Sequence, residues 1–261
     1  MKAYYINLAR RTDRRASMDA QLSRLGIDAE RIEAVTPADI SVGDLHRYTG
    51  LHNADHVTAP ELACNLSHHA ALRRFLATSD AQALILEDDV MLAPAVPAVL
   101  AAVPADVDVL RLETYLTPQH IWAEPDARLA GFGLHRVDGW CLGAAAYVIS
   151  RRGAERLLAT PASLGVPFDL MLFNPYRQPG AGLRTLQLVP AVAMQADRLG
   201  TVELVSDLRV AQTERRPKPL LLRPLHGLLR FWQRDLMMGL PKTIHHLTGK
   251  TRRGIIPLQQ D

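Results

Sequence analysis

Apolar runs and helical stripes alternate along the chain as far as Gln195. Ala3 to Leu8, with Tyr4, Tyr5 and Ile6, reads as a buried first strand. A helix follows to about Leu25, where Met18, Leu22 and Leu25 recur at helical spacing and Gly26 supplies a C-terminal cap. Thr58-Ala59-Pro60-Glu61 is a capping box with Pro in the first turn, so a second helix starts there and reaches Leu76. Glu61, Cys64, His68, Ala71 and Phe75 share one side of it, polar at its start and apolar at its end. The run from Ala83 to Val90 predicts another buried strand, and an Ala/Val-rich helix ends by Val103. Strands are also predicted over Val107–Leu112, Gly139–Ser150 and Leu186–Gln195, with Ser150 capping a helix from Arg151 to Ala159. Residues 36–57 and 114–136 are broken by Pro and Gly and read as loops, the first long enough to be an active-site loop. Strands alternating with helices predict an α/β domain.

Beyond Pro217 the pattern changes. Leu221, Leu225, Leu228, Leu229, Trp232 and Leu236 form a helical stripe, interleaved with Arg223, Arg230 and Arg234 and weakened at its start by Pro224. The stripe suits a basic amphipathic helix on a membrane surface, or equally a helix packed on the core. Residues 1–207 therefore read as one domain and 208–261 as a basic, partly helical extension. From Arg209 onward there are 11 Lys and Arg against 3 Asp and Glu, although the whole chain carries only +3. That imbalance points to an anionic surface as partner. The 261 residues suffice for such a domain with an appendage, and 48% hydrophobic with 22% charged residues is ordinary for a soluble protein. Cys64 and Cys141 lie far apart, which argues against a disulfide scaffold and fits a reducing compartment. The first apolar run is too short for a signal peptide, and no run approaches the ~20 residues of a bilayer span. A cytoplasmic chain is expected.

Chemistry concentrates at Glu87-Asp88-Asp89, directly after the third apolar run. Adjacent carboxylates repel, and a divalent cation such as Mg²⁺ or Mn²⁺ relieves that with hard oxygen ligands. In open α/β sheets ligands bind just beyond the carboxyl ends of strands. The same acids also read as a solvated turn after an edge strand. Arg11, Arg14 and Arg15 crowd the first turn of the first helix, where the helix dipole disfavours cations unless an anion binds nearby. A solvated basic face is the alternative. Asp169 stands in the apolar run Pro167–Leu172; there it is either a general base with a raised pKa or the N-cap of a short helix. His46, His52 and His56 show no metal-ligand spacing and read as loop histidines.

Taken together, these motifs resemble glycosyltransferase family 25, the lipopolysaccharide and lipooligosaccharide sugar transferases. The resemblance rests on Tyr5-Ile6-Asn7-Leu8 with its arginines, Glu61…Cys64…Ser67-His68, and Leu86-Glu87-Asp88-Asp89. It continues through Ala146-Tyr147-Val148-Ile149-Ser150, Gly153-Ala154, Leu157-Leu158 and Pro167…Asp169, about residues 3 to 195 in the family's order. Two departures lie near Thr36-Pro37, where the family often has Asp-Gly, and at Pro60, where it has Gly. The resemblance implies a GT-A-like nucleotide-binding α/β sandwich with a central, mostly parallel sheet. It implies transfer of galactose or a related hexose, with inversion, from a UDP-sugar to a glycan or glycolipid acceptor. The acceptor would be met at the inner face of the plasma membrane, with the basic tail at the membrane surface and no nucleic-acid partner. Glu87 and Asp89 would hold Mn²⁺ or Mg²⁺; Asn7, Arg10, Arg14, Glu61, Ser67, His68 and Asp88 would line the nucleotide; Asp169 would be the base. A metal-dependent nucleotidyltransferase or phosphohydrolase, and an inactive glycan- or membrane-binding protein, are the rival readings.

Overall fold

The computed structural model describes residues 1–49, 57–160, 164–176, 180–198 and 239–259. Its centre is an eight-stranded sheet of β1 (Lys2–Asn7), β2 (Ala29–Glu33), β3 (Gln82–Glu87), β5 (Val109–Arg111), β8 (Ala127–Leu129), β9 (Phe132–Arg136), β10 (Ala146–Ser150) and β11 (Thr185–Val189). The spatial order is β2-β1-β3-β10-β5-β11-β9-β8. Only β9 and β10 run against the other strands, so the sheet is mostly parallel, as expected. A small sheet joins β4 (Val90–Leu92), β12 (Ala193–Gln195) and β6 (Glu113–Thr114), and β7 (Gln119–Trp122) pairs with β13 (Thr251–Gly254).

Strand periodicity divides the core in two. Along β1 and β3, Tyr5, Leu84 and Leu86 point to one face, where Met18 and Leu22 of α1 (Thr12–Leu25) and Val96 and Val99 of α4 (Val96–Ala101) cover them. Tyr4, Ile6, Ala83 and Ile85 point to the other, under Leu72 and Phe75 of α3 (Ala59–Leu76), Leu157 of α5 (Arg151–Leu158) and Met171 of α6 (Phe168–Leu172). Covering on both faces explains why these strands read as continuous apolar runs. All three predicted helix caps are present, Ser150 accepting from Gly153 N–H at the start of α5. Gly26 takes φ 66° and donates to Leu22 and Ser23, and Thr58 and Glu61 form the capping box of α3.

The structure differs from the expectations in five places. The strand expected from Gly139 begins only at Ala146, because Gly139 and Gly143 take positive φ that breaks an extended run. The strand from Ala83 stops at Glu87, Asp88 and Asp89 make a turn, and Val90 starts β4 in another sheet. Residues 114–136 are not a loop: they hold β7, β8 and β9, too short to show a period, with Ala130 and Gly131 at positive φ in the β8–β9 turn. The predicted last strand is divided into β11 and β12 around Pro190, which has no N–H to give to a ladder. The excursion after residue 36 contains a 3₁₀ turn at Pro37–Asp39 and α2 (Val42–Thr49), and β2, with its polar composition, was not foreseen.

Residues 239–259 return to the body. Helix α7 (Gly239–Leu247) leads into β13, Thr114 Oγ1 donates to the carbonyl of Ile256 (2.6 Å), and Ala191 exchanges backbone hydrogen bonds with Pro257 and Gln259. The stripe from Leu221 to Leu236, the proposed boundary at 207, and His52 and His56 lie outside the described residues. Among the described residues no helix is long and apolar enough to cross a membrane.

Candidate active site

Strands β1 and β3 lie side by side with Ile6 opposite Glu87, so Asn7 and the acids leave the sheet at the same edge. That is the carboxyl-end position where open α/β sheets bind ligands. Asn7 Nδ2 donates to Asp88 Oδ2 (2.7 Å) and to the carbonyl of Arg11 (3.1 Å), tying the acids to the turn that enters α1. From the first turn of that helix the buried Arg14 places Nη1 3.0 Å from Asp88 Oδ1 and 3.4 Å from Asp89 Oδ2. The cation that the helix dipole disfavours is thus held by two carboxylates.

Glu87 faces α3. Its Oε1 lies 3.1 Å from His68 Nε2, and its Oε2 accepts from Gln195 Nε2 at 3.4 Å. His68 Nδ1 lies 3.1 Å from the Tyr147 hydroxyl, and the imidazole stacks on Phe168 with centroids 4.0 Å apart. Burial pushes His68 down to about 3, so the ring is neutral at neutral pH. With Glu87 ionised, the neutral ring donates to it from Nε2 and accepts the Tyr147 proton at Nδ1; with Glu87 protonated, the roles of the two ring nitrogens exchange. Glu87 is pushed upward by burial and then by the charges of Asp88 and Asp169. Asp89 is pushed upward by burial and then by Glu87, with Arg14 opposing.

Burial is the first cause of both upward shifts and repulsion between the acids the next, and a divalent cation bound there would favour the charged carboxylates against both. The donor set fits such an ion: Asp89 Oδ1 is buried without a hydrogen-bond partner, an oxygen lone pair left for a ligand. Cys64 and His68 bring softer atoms to Glu87, the three ligand atoms lying within 4.8 Å of one another.

Asp169 is the second residue of α6, after Phe168, and the N-cap is Pro167 rather than Asp169. Its Oδ1 accepts from the backbone N–H of Leu170 (2.7 Å) and its Oδ2 from that of Gly143 (2.9 Å). Burial nevertheless raises its pKa over the opposing pull of those two N–H groups, and Glu61 adds repulsion. Glu61 itself gives Oε2 to the capping box of Thr58. Ser67 donates to the carbonyl of Ala63 (2.7 Å) and accepts from Val35 N–H (2.8 Å), so its hydroxyl pins the chain after β2 onto α3. Arg10 is exposed on the β1–α1 turn. Two hydrogen-bonded groups therefore meet at the turn, Asn7 and Arg14 with Asp88 and Asp89, and His68 with Glu87, and Asp169 is felt through its charge.

A second polar group behind Asp169 was missed. Arg111 is fully buried and donates through Nη1 to the Glu113 carbonyl and Gln187 Oε1, both at 2.8 Å, and through Nη2 to the Leu142 carbonyl. Glu113 Oε1 accepts from Ala145 N–H (2.8 Å). Gly143 takes φ +86°, and a Cβ there would meet Glu113 Oε2 at 2.9 Å. The glycine thus lets the backbone pass between Glu113 and Asp169. Charged residues inside the run Val109-Leu110-Arg111-Leu112-Glu113 were the available signal.

Known proteins place this constellation in a family. The model described as glycosyltransferase family 25 (LPS biosynthesis protein) matches residues 1–172. The lipooligosaccharide biosynthesis protein lic2B of Haemophilus influenzae is 27% identical over 210 residues, 75% of this chain and 76% of that protein. A glycosyltransferase 25 family member of Aedes aegypti is 29% identical over 181 residues, 64% of this chain but 29% of the mosquito protein. The human inactive glycosyltransferase 25 family member 3 is 28% identical over 183 residues, 66% of this chain and 31% of its own length. The chain thus spans under a third of the animal relatives. The matched residues include every acid of the turn after β3 and the Asp169 that faces Gly143, and the chain belongs to glycosyltransferase family 25.

Proposed function

We propose that this chain transfers a hexose, galactose in the first instance, from a UDP-sugar to a lipopolysaccharide, lipooligosaccharide or related glycan acceptor, with inversion. One observation carries the reading: Asp88 and Asp89 are gathered at the carboxyl ends of β1 and β3 with Asp89 Oδ1 left bare. Glu87 and Asp89 would hold Mn²⁺ or Mg²⁺, which would offset charge on the departing diphosphate. Arg14 offsets part of the charge of Asp88 and Asp89, while Asn7 and the exposed Arg10 stand where the nucleotide would enter. His68 ties α3 to Glu87 at the end of β3, Glu61 caps α3, and Ser67 holds the chain after β2 against it. Asp169 takes the proton of the acceptor hydroxyl, as a carboxylate whose pKa burial raises and which two backbone N–H groups aim. The transferase unit of this reading is residues 1–207; the extension 208–261 includes the part that packs back on it.

A UDP-release screen across UDP-sugars tests it, with Mn²⁺ added and then removed by EDTA. Release with one sugar and an oligosaccharide acceptor, lost in EDTA, is the expected result; release of pyrophosphate instead would replace it with a nucleotidyltransferase. The inactive human relative favours a second reading, a site that binds nucleotide sugar without transfer. Binding of UDP-galactose without turnover on any acceptor would establish that one.

A further inference from the structure

Helix α3 offers a second set of metal donors, different in chemistry from the acids after β3. Cys64 and His68 stand one turn apart on the same side of it, the i, i+4 spacing at which two helical ligands share one ion. Glu87 at the end of β3 completes the set. Cys64 Sγ, a ring nitrogen of His68 and a Glu87 oxygen all lie within 4.8 Å of one another. His68 Nε2 and Glu87 Oε1 are 3.1 Å apart. A tetrahedral zinc site with bonds of about 2.0 Å to nitrogen and oxygen has an edge of about 3.3 Å. Those two ligands therefore already stand at the spacing required, and rotation of the half-buried Cys64 side chain brings in the sulfur.

The shell behind the ligands is built as well. Tyr147 is fully buried with its hydroxyl 3.1 Å from His68 Nδ1, and it can accept the ring proton there while Nε2 faces the ion. Phe168 stacks on the imidazole at 4.0 Å and holds its plane. Gln195 Nε2 donates to Glu87 Oε2 (3.4 Å), which leaves Oε1 for the ion. The field also favours a cation. Burial and then Glu87, Asp169, Asp89 and Glu61 hold the Cys64 thiol protonated, and positive charge bound beside the sulfur reverses that balance. Sulfur, nitrogen and a single oxygen suit Zn²⁺ or Co²⁺, whereas Mg²⁺ takes oxygen alone.

We propose that Cys64, His68 and Glu87 form a tetrahedral site for a thiophilic dication of the Zn²⁺ type, with water as the fourth ligand. Binding expels the Cys64 thiol proton, and that of Glu87 where it is protonated; His68 stays neutral with its proton on Nδ1. The site shares only Glu87 with the oxygen ligands after β3 and requires neither Asp89 nor a sugar donor.

Titration of the full chain with Co²⁺, after stripping with EDTA and dialysis, tests it. The visible bands of tetrahedral cobalt should develop together with a near-ultraviolet sulfur-to-cobalt charge-transfer band. Zn²⁺ should bleach both, and excess Mg²⁺ neither. Cys64→Ser and Cys64→Ala should lose the charge-transfer band and bind Zn²⁺ about a hundredfold more weakly, with circular dichroism like that of the parent. Tyr147→Phe should keep the band and weaken Zn²⁺ binding by about tenfold. Asp89→Asn should keep the parent spectrum, whatever becomes of transfer. A parent without the charge-transfer band overturns the proposal. So does a band that survives both Cys64 variants, which would put the sulfur at Cys141, or one lost in Asp89→Asn, which would put the ion among the acids after β3.

Discussion

Asp89 is the residue on which the site's chemistry turns, because one of its oxygens is spent near Arg14 and the other has no partner. Asp89→Asn keeps the shape and removes the charge. We expect transfer to fall by about a hundredfold or more, since a metal's charge stabilisation is worth several kcal/mol. Melting temperature should hold or rise, because the substitution also removes repulsion from Glu87. Unchanged turnover with a normal melt would remove the metal from the reading. Glu113 allows a separate test at the same scale. Burial raises it to about 8 from the ordinary 4.5 of a glutamate. An acid that binds its proton more tightly when folded contributes stability below its unfolded pKa and loses it as pH rises through the folded one. Glu113 should therefore make the protein less stable between about pH 4.5 and 8 as pH increases. Glu113→Gln should flatten that part of the melting profile. His68, depressed to about 3, works oppositely, its contribution fading as pH falls from 6.5 toward 3, so the variant and the parent must be compared at each pH.

At the scale of elements, what could be read in advance depended on local signals. The capping box of α3, the Gly26 stop of α1 and the apolar runs of β1 and β3 are each specified within a few residues, and each was legible. Strands β7 to β9 were not: at three to five residues they owe their conformation to partners far off in sequence. The site divides in the same way. The three adjacent acids announce themselves, whereas Arg111, Glu113 and Gly143 matter because β5, β6 and the segment before β10 converge. Long-range pairing also decides what the C-terminal segment does. Strand β13 completes β7, and Ile256 packs with Ile121 and Ala191. Ending the chain at residue 238 should thus expose the Ile121 cluster and the free edge of β7. The melting temperature should drop by several degrees, as burial of one Ile is worth about 1.5–3 kcal/mol. A truncated chain that melts like the parent would show that the segment adds nothing to the body.

The whole molecule is nearly neutral at +3, yet its two halves of charge are set apart. Acids converge where β1 and β3 end, and cations gather on α7 and β13 and in the sequence before them. Glu87, Asp89, Asp169 and Glu113 are all shifted upward, each by burial first and by neighbouring acids after it. Without a counter-ion, then, burial and mutual repulsion both favour protonated carboxyls at this edge, and Arg14 and Arg111 are the guanidinium groups that oppose it. A ligand that binds only the folded state stabilises it by about 2.7 kcal/mol at a hundred times its Kd. A divalent cation should therefore raise the melting temperature, and UDP should raise it further only when the cation is present. The same additions should leave Asp89→Asn almost unmoved. If Mn²⁺ shifts parent and variant equally, the ion binds elsewhere, and the acids after β3 are a solvated turn.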